Sequence, residues 1–537
     1  MIGPEQLASA VRDALAAAAL PDREPELERP NHREHGDWAT NVALTLAKPV
    51  GASPREIATR IIDALVVPDG VEHVEVAGPG FINFHLAQGA LADLVRTVIV
   101  QGEAYGTSDA AAGRHANVEF VSANPTGPLH VGHGRQAAIG DALARILERT
   151  GWRVTREYYF NDAGNQMRKL GASVQAAMAG HEPPADGYHG AYIGDLAREL
   201  ADQGVDPADA EAVTEAAYQS MLARITTTLD RLGVRFDVFF GERRLHGPDG
   251  IPAVLDALRG AGYAYEADGA TWVATTRFGD DKDRVAIKAD GAPTYFAADI
   301  AYLAEKFARG FDHLIYVWGS DHHGYIPRLK AAAQAQGFDP TTVEVVMHQF
   351  VNLLRGGEPA RMSTRAGEFV SFDDLMDEVG ADAARYTFLR YSAEVDIDFD
   401  LAEVVKQDKD NPVYYVQYSS ARIAGIMRTA TERGVEPGAI ASAALDRLTD
   451  PHEVELIRRI DAYPERLAEA ADERAPHKVA RYAEELAEAF HKFYTECRVV
   501  DADDPELTRA RYWLCQATHQ TLVNALTVLG VSAPERM

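Results

Sequence analysis

The chain has 537 residues, 46% of them apolar and 25% charged, with a formal net charge of −28. It is too long for one core and ordinary in composition, so three or so globular domains are expected. The acid excess argues against a general nucleic-acid binder and leaves no DNA partner expected. Any RNA contact must be confined to particular faces.

No 18-residue apolar run and no basic-then-apolar leader is present, so neither a membrane span nor secretion is expected. Two cysteines, Cys497 and Cys515, cannot make a disulfide framework or a closed zinc site, which fits a reducing cytoplasm.

Residues 1 to about 110 read as a small α+β unit. Helical periodicity (Leu7, Val11, Leu15; then Ile57, Ile61, Ile62, Leu65) precedes two strand-like runs, Val71 to Ala77 and Phe81 to Leu86. Gly78-Pro79-Gly80 between them signals a hairpin. Ala110 to Arg114 reads as a linker.

From about 115 to 400, strands alternate with helices. A strand at 117–121, a helix at 133–149 and a strand Val154–Phe160 predict a βαβ unit and hence a parallel sheet. Gly151 stands where a C-terminal cap glycine belongs. A largely helical stretch is predicted at 162–232. Two short hairpins should turn on Asp268-Gly269 and Asp290-Gly291. Further strands are expected at Leu314–Trp318, leading into Gly319-Ser320-Asp321, and at Val343–Val346, before His348. The hairpins and helices read as insertions into an open α/β sheet, whose ligands bind beyond the strand carboxyl ends.

From about 405 to 537 strand signals vanish. Val479, Tyr482, Leu486, Phe490 and Phe493 define one amphipathic helix, and Leu514, Leu522, Leu526 and Leu529 suggest another. A helical bundle is expected there.

Two clusters carry chemistry. Asn124 to His133 reads Asn-Pro-Thr-Gly-Pro-Leu-His-Val-Gly-His, at a strand-to-helix turn. A helix N-terminus there offers free N–H groups and partial positive charge to a phosphate. Gly132 allows a flat ring close to the backbone, and Pro125, Gly127 and Pro128 fix a tight approach. The second cluster, Arg361-Met362-Ser363-Thr364-Arg365-Ala366-Gly367, comes after the Gly-rich loop Arg355 to Pro359. It precedes a helix opened by Ser371 and Asp374. Two arginines on such a loop can neutralise charge as pyrophosphate leaves. Alone, a basic loop is more often a solvated surface.

Together the two clusters resemble those of class I aminoacyl-tRNA synthetases. Val118 to Pro128, Asn161 to Gln166, Gly78 to Phe84 and the terminal Val528-Leu529-Gly530-Val531 narrow the resemblance to the arginyl-tRNA synthetases, over nearly the whole chain. The resemblance implies a Rossmann-like catalytic domain at 115–400, with an N-terminal α+β tRNA-contacting domain at 1–110 and an anticodon-binding all-α bundle at 405–537. It implies an arginine–tRNA ligase using ATP and Mg2+, with L-arginine and tRNA as partners. A monomer is expected because no dimerisation surface is readable in the sequence, and a cytoplasmic one from the cysteine usage above.

The resemblance also assigns roles. His130, His133, Arg361, Ser363 and Arg365 would stabilise the reacting phosphate. Asn124, Pro125, Thr126, Gly127, Gly132, Gly319, Asp321, His322, His348, Phe350 and Met362 would hold ATP. Glu119, Ser122, Asn124, Tyr295 and Asp299 would hold arginine. Tyr295 and Asp299 share a helix face at i and i+4, suited to a planar guanidinium, and a charged Glu119 in a buried strand is costly unless paired. Phe81, Asn83, Tyr414 and Tyr418 would contact tRNA, the tyrosines by stacking on bases.

One departure is clear. The family's second motif usually carries a lysine where this chain has Thr364. Some arginyl enzymes instead carry a lysine a few residues before His-x-Gly-His, where this chain has Gly127. Arg361 or Arg365 must then supply the charge. Rival readings are a class I synthetase for another amino acid, a catalytically weak tRNA-binding paralogue, and a nucleotidyltransferase acting without tRNA. Tyr295 with Asp299 argues against the first, the retained histidines against the second, and the helical C-terminal region against the third.

Overall fold

A computed structural model describes residues 3–30, 35–360, 370–408 and 410–537. Its centre is a five-stranded, all-parallel sheet. β5 (His115–Glu119), β6 (Arg153–Phe160) and β7 (Val238–Gly241) step outward in one direction, and β11 (His313–Gly319) and β12 (Val343–His348) in the other. The order is β12-β11-β5-β6-β7, so direction reverses between β5 and β11. Leu314 to Val317 are buried, as befits a parallel strand covered on both faces. The register sets Glu119 beside Tyr316 and Gly319 beside His348, which lines up the carboxyl ends.

Helix Val131–Arg149 connects β5 to β6. Two of its glycines are needed for packing. A Cβ on Gly134 would lie 2.3 Å from the Phe372 ring, and one on Gly140 2.2 Å from the Phe120 ring. Between β6 and β7 come helices Asn165–Met178, Ala191–Asp202 and Ala210–Arg231, the expected helical insertion.

β8 (Ala264–Ala267) and β9 (Ala270–Val273) form a hairpin on Asp268-Gly269, both residues at positive φ. β10 (Arg284–Ile287) completes that small sheet. The Asp290-Gly291 turn closes only an isolated bridge, Ile287 to Pro293, because Thr294 then caps helix Tyr295–Ala308. β13 (Val351–Arg355), β14 (Glu358–Pro359) and β15 (Ile397–Asp400) form a third sheet. There the Asp400 carboxylate accepts from the N–H groups of Gly356 and Gly357.

The N-terminal unit holds four antiparallel strands rather than two. β1 (Leu27–Glu28) and β2 (Trp38–Thr40) join β3 (Val71–Ala77) and β4 (Phe81–Leu86) in the order β1-β2-β4-β3. The extra strands are two and three residues long, too short to show alternation. The first strand of the parallel sheet also ends sooner than its apolar run suggests. Phe120 leaves it, and Val121 and Ser122 turn back at φ +67° and +42°.

The C-terminal region is a bundle of helices Pro412–Glu432, Pro451–Asp461, Tyr463–Asp472, His477–Glu496 and Pro505–Leu529. Its core (Leu456, Leu486, Phe490, Leu514, Leu522) is continuous with the packing around β5 and helix Val131–Arg149. The expected class, a doubly wound parallel sheet with an N-terminal α+β unit and a C-terminal all-α bundle, is what the chain forms.

Candidate active site

A cleft of about 1060 Å³ opens at the carboxyl ends of β5, β11 and β12, where the strand order reverses. This is where open α/β sheets place ligands. Glu119, Ser122, His130, Gly132, His133, Tyr295, Asp299, Gly319, Asp321, His322, His348 and Phe350 all line it.

His130 is the N-cap of helix Val131–Arg149. Its ring stacks on that of His133, with centroids 3.6 Å apart. The His130 backbone N–H donates to His133 Nδ1 at 3.2 Å, so a neutral His133 carries its proton on Nε2. Burial lowers His130 and drives His133 down to about 3, helped by His130 and His348. His348 is lowered to about 4, again chiefly by burial, against the opposing effect of its Nδ1–H bond to the Gln349 carbonyl. All three rings are therefore neutral near pH 7, and His133 presents an N–H donor. The ring beside Gly132 is that of His130, whose Cε1 would be 2.9 Å from an added Cβ.

A second wall is acidic and aromatic. Tyr295 is 71% exposed at the start of its helix. Asp299, one turn on, accepts a hydrogen bond from the Tyr325 hydroxyl. Desolvation raises the Asp299 carboxyl to about 7; the Tyr325 bond opposes this, and Glu119 and Glu242 add to it. Tyr159 donates to Glu242 at 2.5 Å. Arg328, whose guanidinium lies 4.5 Å from the Tyr325 ring centroid, also acts to lower the Asp299 carboxyl, but desolvation prevails.

Glu119 is buried, but it is paired. Lys306 Nζ lies 2.6 Å from its Oε2, and Ser122 Oγ donates to Oε1 at 3.1 Å. Burial of Glu119 therefore needs no ligand to explain it and gives no support to a binding role. Its place on the cleft wall remains. Ser122 also accepts from the Tyr159 N–H at 3.1 Å. The left-handed turn at Val121 and Ser122 is thus pinned from two sides, the kind of strain that gathers at functional sites.

The Asn124 to Gly127 turn does not line the cleft; it faces the helical insertion. The Asn124 amide donates to Gln166 Oε1 at 2.6 Å and accepts from the Asn161 N–H at 2.9 Å. Tyr192 donates to the Thr126 carbonyl at 2.9 Å, and its hydroxyl lies 3.4 Å from where a Gly127 Cβ would be. Pro125 lies in the same turn. These residues brace the site rather than wall it, because both ends of the Asn124 amide are already engaged.

Arg361, Met362, Ser363, Thr364 and Arg365 lie outside the described residues. The segment just after them is tied to the first cluster. His130 pairs with Ser371 as an isolated bridge, and the Phe372 N–H donates to the Leu129 carbonyl at 2.7 Å. The chain leaving the second motif thus meets the first on one side of the molecule.

Several site residues are absent from the sequence-based expectations. Lys306 continues the stripe Tyr295, Asp299, Tyr302 at helical spacing, so its signal is present in the sequence. Arg135 carries no such signal. It is wholly buried and donates to the carbonyls of Gln349, Phe350, Ser392, Ala393 and Val395, clamping the end of β12 to helix Val131–Arg149. Burial lowers it to about 10.

Of the remaining positions, Asn83 is 1% exposed and its Nδ2 has no partner among the described residues. It cannot meet RNA in this arrangement, because its strand is covered on that face. Phe81 is half-buried at the strand start. Tyr414 and Tyr418 stack with ring centroids 6.0 Å apart. Tyr418 also lines a cleft of about 1000 Å³ shared with Arg422, Arg428, Arg433, Arg498 and Arg536.

Known proteins share this organisation. Residues 5–86 match the arginyl tRNA synthetase N terminal domain, 94–395 the catalytic domain of class I (R) tRNA synthetases, and 416–537 the DALR anticodon binding domain. The chain is 49% identical over 522 residues to an arginine–tRNA ligase of Frankia alni, covering 95% of this chain and 94% of that one. A putative arginyl-tRNA synthetase structure from Campylobacter jejuni is 35% identical, with a TM-score of 0.78, over 84% of this chain and 100% of that one. The Thermus thermophilus arginyl-tRNA synthetase structure is 24% identical, with a TM-score of 0.78, over 100% of both chains.

Proposed function

This chain belongs to the arginyl-tRNA synthetases of class I, and from that premise we propose how the residues of its cleft divide the work. Its activity is that of an arginine–tRNA ligase. It activates L-arginine with ATP and charges tRNA.

In the first step an arginine carboxylate oxygen attacks the α-phosphorus of ATP, forming arginyl-adenylate and releasing diphosphate. The neutral His130 and His133 rings and the free N–H groups of the helix beneath them receive the charge on the phosphate. Gly319, Asp321, His322, His348 and Phe350 receive the nucleoside. Arg361 or Arg365 takes the place of the missing lysine, with Met362 and Ser363 beside it. Asp299 and Tyr295 read the guanidinium, and Glu119 with Ser122 the α-amino group. Asn124, Pro125, Thr126 and Gly127 act from behind, as a brace. In the second step a terminal ribose hydroxyl of the tRNA attacks the adenylate carbonyl and AMP leaves.

Among the described residues no group of three His, Cys, Asp or Glu could hold a metal ion. Mg2+ in this reading arrives with the ATP phosphates, as that ion usually does. Tyr414 and Tyr418, beside the arginine-lined cleft of the bundle, and Phe81 in the N-terminal unit are the proposed tRNA contacts. The reading extends to a monomer in the cytoplasm. No helix among the described residues is long and apolar enough to cross a membrane.

The observation that carries this division is that the stacked histidines and the raised Asp299 carboxyl open onto one cleft. The test is amino-acid-dependent diphosphate exchange, with and without tRNA, across the standard amino acids. Exchange with arginine alone is expected; exchange driven by another amino acid would refute the assignment.

A further inference from the structure

One buried cluster lies away from the cleft. Arg385, in helix Ala381–Arg390, is 1% exposed on its side chain. Its Nε donates to the Leu529 carbonyl, where the last helix of the bundle ends. One terminal nitrogen donates to the Leu232 carbonyl at 3.2 Å, where helix Ala210–Arg231 ends. The other pairs with Asp141, in the helix that His130 begins. Asp141 also pairs with Arg145 at 2.7 Å and Arg156 at 3.4 Å.

Gly530 completes the cluster. It sits at φ +67°, and a Cβ there would lie 2.4 Å from the Arg385 guanidinium. The Val-Leu-Gly-Val ending is thus a demand for space by a side chain from another part of the chain. A guanidinium carries five N–H donors in a rigid planar fork, so it can serve three partners lying in three directions at once. Here it meets the negative ends of two helices and a carboxylate in a third. Each bond ties a different helix to the same buried guanidinium, and loss of the Asp141 carboxylate would leave that charge without its ion-pair partner, so the three helices are held at one point.

Resting on the reading that the cleft forms arginyl-adenylate and the bundle holds the anticodon arm, we infer that Arg385 is a positioning residue that couples RNA held by the bundle to the placement of His130 and His133. Helix Val131–Arg149 presents the histidines at one end and Asp141 in its middle, so a displacement of Leu529 reaches them through one side chain.

Arg385→Ala would empty a buried site and leave Asp141 to Arg145 and Arg156 alone, so two variants that keep the Arg385 side chain carry the test: Gly530→Ala, which crowds the guanidinium, and Asp141→Asn, which keeps shape and removes charge. Charging is measured for whole tRNA and for a hairpin RNA that keeps the acceptor stem and 3′ end but lacks the anticodon arm. The wild-type enzyme is expected to show a higher kcat on whole tRNA. In both variants that kcat should fall on the order of tenfold towards the hairpin value, with hairpin kcat and tRNA KM within about twofold of wild type. An equal loss on both RNAs would mean that Arg385 only supports the fold, and would overturn the inference. So would an unchanged kcat on whole tRNA, a change confined to KM, or a wild-type enzyme that charges both RNAs equally fast. A wild-type enzyme that charges no tRNA would instead refute the underlying reading of the cleft.

Discussion

Lys306, with no exposed side-chain surface, holds its ammonium 2.6 Å from a Glu119 carboxylate oxygen at the end of the central strand. The same ammonium lies over the rings of Tyr302 and Tyr316, at 4.4 and 4.2 Å. Removing one member of such a pair leaves the other charge buried alone, at a cost of about 3–5 kcal/mol. Lys306→Met should therefore lower stability by about that much, and Lys306→Met with Glu119→Gln by clearly less than the sum of the single changes. Denaturant midpoints decide it; additive losses would mean the two groups are not coupled.

The proposed role of Asp299 in reading the guanidinium predicts a pH dependence for arginine. Burial holds the Asp299 carboxyl near 7 despite the opposing effect of Arg328, and a guanidinium binds only the ionised form. Below pH 7 each unit of acid should raise KM for arginine about tenfold, while above pH 8 KM should level off. Asp299→Asn should raise KM and flatten the profile. An unchanged KM in Asp299→Asn would remove Asp299 from the site, and a wild-type KM independent of pH from 5.5 to 8 would mean that its carboxyl is ionised throughout.

The histidine pair is expected to act through kcat. Donors aimed at developing charge are each worth about 10² to 10³ in rate. His130→Ala and His133→Ala should each cut the rate of adenylate formation by that factor and leave arginine KM nearly unchanged. Single-turnover kinetics separate the two quantities, and an unaltered rate would dismiss the pair.

Acid should loosen the fold for a related reason. His133 and His348 sit near 3 and 4 when folded, below the usual imidazole value. Between about pH 6.5 and 4 the unfolded chain binds more protons, so stability falls as pH falls and is fully present above 6.5. His348→Gln should shallow the decline in melting temperature over that window; an identical slope would contradict the assignment.

Helix Val131–Arg149 offers a packing test. Gly140→Ala would drive a methyl to 2.2 Å from the Phe120 ring, and overpacking of this kind costs about 1–3 kcal/mol. A compensating Phe120→Leu should recover part of the loss in a thermal melt, and no recovery would place the strain elsewhere.

The site is legible in the sequence where its chemistry is local. His130, Gly132 and His133 fall within one turn, and Tyr295 with Asp299 on one helix face, so spacing groups them, while the roles proposed for them come from the family resemblance. Arg135 reaches carbonyls 214 to 260 residues away, and Arg385 reaches Leu529 across 144. No periodicity encodes such partners. The role of Asn124 is hidden for a related reason: an amide can face a ligand or a neighbouring loop, and only the fold decides between them. Strands of two or three residues, such as β1 and β2, carry too few side chains to show alternation. Arg361 to Arg365 lie outside the described residues, so the question of the missing lysine stays with the sequence.

The reversal between β5 and β11 also bears on how the chain is made. His115 bonds to Asp312, 197 residues further on. At 5–20 residues per second, roughly 10–40 s of translation separate the emergence of these two strands from the ribosome. The edge of β5 stays unsatisfied through that interval, so the nascent protein must hold half of its catalytic centre open until the other half has been synthesised.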